Sequence, residues 1–210
     1  MLVRDRMSKN PITTKLGASV PDALKVMQGS KVRQLPVLDD KHELVGIVSL
    51  VDLFRASPSP ATSLSVWEIN YLLEEITIDK VMTQDVITVT EDAAVEEAGR
   101  IMAENKISGL PVMRGRELVG IITESDLFNV LLELFGAHAS GLRVAARIHR
   151  EKGGLAKIAG AVSALGAQFV SFGIASDSET IIFKVQDAKR DDVLKAVEPY
   201  VLEVLDIRET

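Results

Sequence analysis

The sequence contains no cysteine. This excludes a disulfide framework, a thiolate nucleophile and any zinc or iron–sulfur centre built on Cys ligands. Aromatic residues make up only 4% of the chain, so its cores must be largely aliphatic. The histidines, His42, His138 and His149, are scattered without metal-ligand spacing, and no metal is expected. No apolar run approaches the roughly 20 residues of a membrane-spanning helix. Met1 to Lys9 alternates charge and does not read as a secretory leader. Basic residues are outnumbered, 24 against 30 acidic, and the net charge of −6 disfavours nucleic acid as a partner. There is no Walker loop, no dinucleotide glycine fingerprint after a strand and no defensible Ser/His/Asp order. These absences predict a soluble, cytoplasmic, non-catalytic protein with neither nucleic acid nor membrane as partner. The 47% apolar content over 210 residues is enough for ordinary packed cores.

What the chain does contain is an internal repeat. Arg4 to Phe54 aligns with Asp79 to Phe128 at an offset of 75, falling to 74 after one deletion. Met7-Ser8 matches Met82-Thr83, and Ile12-Thr13 matches Ile87-Thr88. Val32-Arg33-Gln34-Leu35-Pro36-Val37 matches Ile107-Ser108-Gly109-Leu110-Pro111-Val112. Leu44 to Ser49 matches Leu118 to Thr123, and Asp52-Leu53-Phe54 matches Asp126-Leu127-Phe128. Each copy predicts helix, strand, strand, helix behind a short lead-in. Ser19 and Asp92 are the expected N-caps. Val20, Leu24 and Met27, or Val95, Ala98 and Met102, form one buried helical stripe. Asp39 to His42, and the turn at Gly115, join the strands of each hairpin. A unit of about 50 residues buries little core alone, so the two copies should pack face to face.

The intervening Ser57-Pro58-Ser59-Pro60 stretch excludes regular structure. Ser65 to Glu68 has capping-box spacing ahead of an apolar stripe at Ile69, Leu72, Leu73 and Ile76, with Trp67 as a packing residue. Leu127 to Phe135 is apolar nearly all round, which calls for a partner on a second face. Beyond it, Leu142 to His149, Phe169 to Ile174, Thr180 to Val185 and Val201 to Ile207 read as strands. Leu155 to Leu165 and Asp191 to Val197 read as helices. The order βαββαβ is the ferredoxin-like layout. The expected organisation is 1–56 first motif, 57–77 linker and helix, 78–135 second motif, 136–141 linker and 142–210 C-terminal domain, an α+β protein throughout.

The duplicated segments Gly46 to Asp52 and Gly120 to Asp126 are the most informative. Ser/Thr-x-x-Asp at a helix start is a capping arrangement that satisfies orphan N–H groups. The same geometry suits a nucleotide. Backbone N–H groups and the Ser49 or Thr123 hydroxyl can meet phosphate, and the Asp52 or Asp126 carboxylate can accept from a ribose diol. Gly46 and Gly120 would let a flat base approach the backbone.

These paired segments resemble cystathionine-β-synthase (CBS) domains in tandem, the Bateman module, over about residues 3–135. The resemblance implies clefts between the motifs that take an adenosine-containing ligand: AMP, ADP, ATP or S-adenosylmethionine. One cleft would combine Ser49 and Asp52 with Thr83, Ile87, Ser108, Gly109, Leu110 and Pro111. The other would combine Thr123 and Asp126 with Ser8, Ile12, Arg33, Gln34, Leu35 and Pro36. Arg33, Lys9, Lys31 and Lys106 are phosphate candidates. The C-terminal unit is similar to ACT domains, which bind amino acids, with Gly153, Gly154 and Leu155 in the effector turn. The Asp and Pro common in that turn are replaced here by Arg150 to Lys152. A CBS pair followed by an ACT domain resembles the acetoin-utilisation regulatory proteins. It implies a nucleotide sensor acting as a homodimer or higher oligomer on a regulated target protein. The alternatives are an oligomerisation scaffold with empty clefts, or an amino-acid sensor.

Overall fold

Ser19 starts the first helix as its position predicts: its Oγ accepts from the Asp22 N–H at 3.3 Å, ahead of α1 (Val20–Ser30). This computed structural model describes residues 1–56, 68, 73–149 and 151–210. The proposed capping box at Ser65 and the expectations for Trp67, Ile69 and Leu72 lie outside the described residues. Val20, Ala23 and Met27 on α1 are buried against β3 (Gln34–Leu38), β4 (Leu44–Ser49) and α2 (Leu50–Ala56). The core formed by Leu35, Val37, Val48 and Leu53 extends to Leu73 and Ile78, beyond the first copy.

The second copy repeats the plan with α3 (Val95–Asn105), β6 (Gly109–Arg114), β7 (Glu117–Thr123) and α4 (Glu124–Leu134). Its first helix corrects one expectation. The N-cap is Ala94, not Asp92, and it makes no side-chain cap. Asp92 instead pairs with Arg4, while the Val95 N–H donates to the Met1 carbonyl at 3.2 Å. The N-terminal segment thus satisfies a helix start that the sequence assigned to a local side chain.

The lead-ins cross between copies. Short strands β2 (Thr14–Lys15) and β5 (Val89–Thr90) run parallel to β3 and β6 of their own copies. By contrast β1 (Ser8–Lys9), from the first copy, pairs antiparallel with β7 of the second, Ser8 opposite Ile121 and Lys9 opposite Gly120. Reciprocally, Thr83 exchanges backbone hydrogen bonds with Ile47 at 3.0 and 2.9 Å. The methionine beside each crossing lies on the partner copy's glycine. A Cβ at Gly120 would meet Met7 Sδ at 2.5 Å and Ser8 O at 3.0 Å, and one at Gly46 would meet the Met82 sulfur. This corrects the reading of Gly46 and Gly120 as places where a base approaches, since Met82 and Met7 already fill the space above them.

The chain divides into two units, Met1–Leu127 and Phe128–Thr210. The second carries β8 (Leu142–Ile148), α5 (Gly154–Ser163), β9 (Gln168–Ile174), β10 (Thr180–Gln186), α6 (Arg190–Val197) and β11 (Val201–Glu209). Its sheet order is β11-β8-β10-β9, all pairs antiparallel, which is the ferredoxin-like βαββαβ layout. Val144, Ala146, Ile181, Phe183, Ile158, Val162, Val193 and Val197 form its core, and Phe183 also meets the Phe169 and Phe172 rings. Lys184, only 6% exposed, donates to the carbonyls of Gly136 and Ala139 at 3.1 and 2.9 Å. The 136–141 stretch, expected as a linker, is held along this unit's own sheet by these bonds.

The crossing makes a prediction. Gly120→Ala should destabilise the chain by about 1–3 kcal/mol, because the new methyl group overpacks Met7 and the Ser8 backbone. Gly120→Ala combined with Met7→Ala should recover part of that loss in thermal unfolding. An equal or larger loss in the double variant would refute the packing account.

Candidate functional site

In each copy the second hairpin strand feeds straight into a helix, and the junction is closed by one carboxylate. Asp52 Oδ2 accepts from Ser49 N at 2.9 Å and from Ser49 Oγ at 2.5 Å, while the Asp52 N–H returns to Ser49 Oγ at 3.3 Å. Asp126 Oδ2 does the same with Thr123, at 2.8, 2.7 and 3.4 Å. The first helical N–H groups are also used: Leu50 N donates to Arg33 O and Glu124 N to Ser108 O. The capping reading of the motif is thus realised in full, and few helix-start N–H groups remain for an anion. Among the described residues every hydrogen bond to either carboxylate falls on Oδ2, so Oδ1 is the acceptor left for a further hydroxyl.

Both motifs open onto clefts that mix the two copies. The cleft of Asp52, about 500 Å³, is lined by Ser49 and Asp52 from the first copy and Thr83, Ile87, Ser108 and Gly109 from the second. The cleft of Asp126, about 430 Å³, is lined by Thr123 and Asp126 with Ser8, Ile12, Arg33 and Gln34. Ile12 and Ile87, at matching positions, are 43% and 39% exposed and give each cleft an apolar flank. Four expected residues are not brought to the clefts. Leu35, Pro36, Leu110 and Pro111 are buried and line neither cavity, and Leu35 and Leu110 belong to the cores beneath.

The electrostatics of the two clefts differ. Among the described residues, Lys9, Lys31 and Arg33 face Asp126 as the sole carboxylate lining its cleft. Arg33 and Lys106 face three carboxylates, Asp52, Asp85 and Glu124, in the other. Lys31 and Lys106 occupy matching helix C-caps and both hold left-handed backbone, φ 55°, where glycine is usual. Asp85, Glu124, Ser125 and Asn10 were missed as lining residues. Their signal was present, since Asp85 and Asn10 follow the repeated Met-Ser/Thr by the same interval, and Glu124-Ser125 are the unassigned positions inside the Thr-x-x-Asp motif.

In the second unit, Gly153 takes φ 82° at the N-cap of α5, with Gly154 buried and Leu155 packed at the core margin. Lys157 Nζ donates to Glu151 at 2.9 Å, a bond that lowers the Glu151 pKa and raises that of Lys157. Among the described residues no group of three or more His, Asp or Glu side chains is arranged to hold a metal ion. No helix of the described residues is long and apolar enough to cross a membrane.

Two interleaved copies, each ending in a capped Ser/Thr-x-x-Asp junction over a cleft lined by both, define a tandem repeat module. The CBS domain model matches residues 3–59 and 77–133, more than half the chain, and the protein belongs to the CBS-domain family. The chain is similar to the CBS domain pair of protein MJ0100 in complex with 5′-methylthioadenosine and S-adenosyl-L-methionine. That pair is 31% identical, with 66% of this chain and 98% of the other covered and a TM-score of 0.53. It is similar to CBSX2 in complex with AMP, 31% identical, covering 62% and 96%, TM-score 0.52. A candidate acetoin utilization protein from Vibrio cholerae is 32% identical, covering 66% and 95%, TM-score 0.54. Among curated relatives, the L-aspartate semialdehyde sulfurtransferase of Methanocaldococcus jannaschii is 33% identical over 127 residues. This chain matches 60% of its own length there and spans only 22% of that enzyme.

Because the motif is a cap before it is anything else, Asp126→Ala should cost about 1 kcal/mol of stability without any ligand present. Asp126→Asn, which still caps, should cost much less. Equal losses in denaturant titrations of the two variants would show that the carboxylate does not cap α4.

Proposed function

We propose that this protein is a non-catalytic sensor that binds adenosine-containing ligands in its two clefts and signals through a homodimer. The observation that carries the reading is the cross-copy composition of each cleft. An Asp with an unused Oδ1, an exposed isoleucine and at least two cations converge from both repeats. Support comes from the adenosine ligands of two CBS pairs that are 31% identical to this chain. The Asp would accept from the ribose hydroxyls, Ser49 or Thr123 would meet the phosphate once its hydroxyl turns from the Asp, and Ile87 or Ile12 would lie against the base. Because each site is built from both copies, a ligand favours the relative orientation of the copies that fits it. It shifts that equilibrium only by its difference in affinity for the two states.

Charge should sort the ligands. The Asp126 cleft, with three cations against one carboxylate, suits ADP or ATP. The Asp52 cleft, with two cations against three carboxylates, suits AMP or the cationic S-adenosylmethionine. We assign the C-terminal unit an ACT-like role in coupling and assembly, on the strength of its βαββαβ sheet order. Homodimerisation is supported by apolar side chains left exposed on equivalent helices: Val51 and Phe54 at 55% and 60% on α2, Phe128 and Leu134 at 59% and 60% on α4.

A ligand panel followed by thermal unfolding tests the sensor reading. A ligand at 100 times its Kd should add about 2.7 kcal/mol of stability. No shift with AMP, ADP, ATP or S-adenosylmethionine would reject it in favour of a scaffold. In calorimetry, Asp52→Asn should leave one site that prefers ATP over AMP by about tenfold at low salt, and Asp126→Asn should leave one that does not. Sedimentation should find a dimer that Phe54→Glu weakens; a monomeric wild type would remove the dimer from the proposal.

A further inference from the structure

One side chain stands where the two clefts meet, and the repeat makes its placement anomalous. Gln34 pairs with Ser49 at the start of the first hairpin, and Gly109 pairs with Thr123 at the start of the second, so the two are equivalent positions. They also lie against each other. A Cβ added to Gly109 would fall 2.4 Å from Gln34 Oε1, so the glutamine amide fills the volume that a side chain at 109 would take. The amide is anchored on one side only. Nε2 donates to Ser108 Oγ at 2.7 Å, whereas Oε1 is buried with no hydrogen-bond donor among the described residues. A half-satisfied buried amide is a costly arrangement and one easily improved by movement. Gln34 and Ser108 line both cavities.

We propose that Gln34 is a specificity-determining gate between the clefts. Its amide covers the Ser108–Gly109 wall of the Asp52 cleft, and it must turn toward the Asp126 cleft before a ligand can lie on that wall. Leaving frees the orphaned oxygen to reach solvent or ligand, so opening is inexpensive. The displaced side chain then narrows the Asp126 cleft, and a ligand already in the Asp126 cleft holds the gate shut. Filling one cleft therefore disfavours filling the other. This inference rests on the nucleotide reading given above and adds an unequal, negatively coupled pair of sites to it.

The test is calorimetry with AMP on the full-length chain, with Asp126→Asn present so that the Asp52 cleft is read alone. Gln34→Ala removes the cover and should tighten AMP by about tenfold. Gln34→Leu keeps the bulk, has no orphan to relieve and should weaken AMP by about tenfold. Opposite shifts cannot arise from a general loss of fold, which would weaken both. With both aspartates intact, the wild type should show two separated affinities that converge in Gln34→Ala. If AMP binds but the Ala and Leu variants agree within about twofold, the gate is refuted and the nucleotide reading stands. If neither AMP nor the other adenosine ligands bind any variant, both are refuted.

Discussion

The reciprocal crossing of the lead-in segments is the constraint on which the first unit depends. Ser8–Lys9 completes the sheet of the second copy, and Thr83 bonds to the central hairpin of the first. Each repeat alone would leave a strand edge with unpaired backbone groups, a cost that buried or partly buried edges cannot carry. The methionine–glycine contacts fix the register of the crossing. A one-residue slip would turn Met7 or Met82 to the opposite face and put a Cβ-bearing neighbour where only glycine fits. The crossing also makes the clefts. The residues that follow each lead-in, Ile12 on one side and Ile87 on the other, are delivered opposite the Ser/Thr-x-x-Asp junction of the other copy.

Given that frame, the two sites differ through a few substitutions on equivalent backbone. The caps are the same within a few tenths of an ångström, so the asymmetry does not originate in the motif. It originates in Asp85 against Asn10, Glu124 against Leu50, and Gln34 against Gly109. Two of these pairs add carboxylates to the Asp52 cleft, and the third sets a bulky amide against a bare backbone. At the surface of a cleft a single charge contributes on the order of 1 kcal/mol at contact distance, and salt screens it further. Several charges of one sign are needed to sort ligands, and the clefts differ by several.

The repeat and the order of elements were legible in the sequence because both rest on hydrophobic spacing, which is local. Val20 and Met27, and Val95, Ala98 and Met102, are buried as their helical period requires, while Leu24 is only partly buried and Ala23 completes the first stripe. The Ser/Thr–Asp caps were legible for the same reason, as an interaction over three residues. What could not be read was tertiary. Nothing near Gly120 announces that Met7, more than a hundred residues earlier, will cover it. Ala94 looks like no cap because Met1 supplies the acceptor. Lys184 in a strand reads as a solvated side chain, yet it is buried beneath two carbonyls that only the fold brings there. Leu35, Pro36, Leu110 and Pro111 sit in the motif but are buried and line neither cleft, which the spacing of the motif does not announce.

A site composed of two copies turns binding into a statement about their arrangement. A ligand held wholly by one repeat would bind every relative orientation equally and shift nothing, however tightly it bound. Here the aspartate and the apolar flank of each cleft come from different repeats, so any change in the crossing changes both together. The crossing is held by the β1–β7 and Ile47–Thr83 pairings, by the two methionine contacts, and by backbone hydrogen bonds of Val3 and Arg4 to Ala93 and Glu91 and of Val20 and Ile78 to Ile76 and Ala18. A molecule that fills either cleft would therefore bridge both copies.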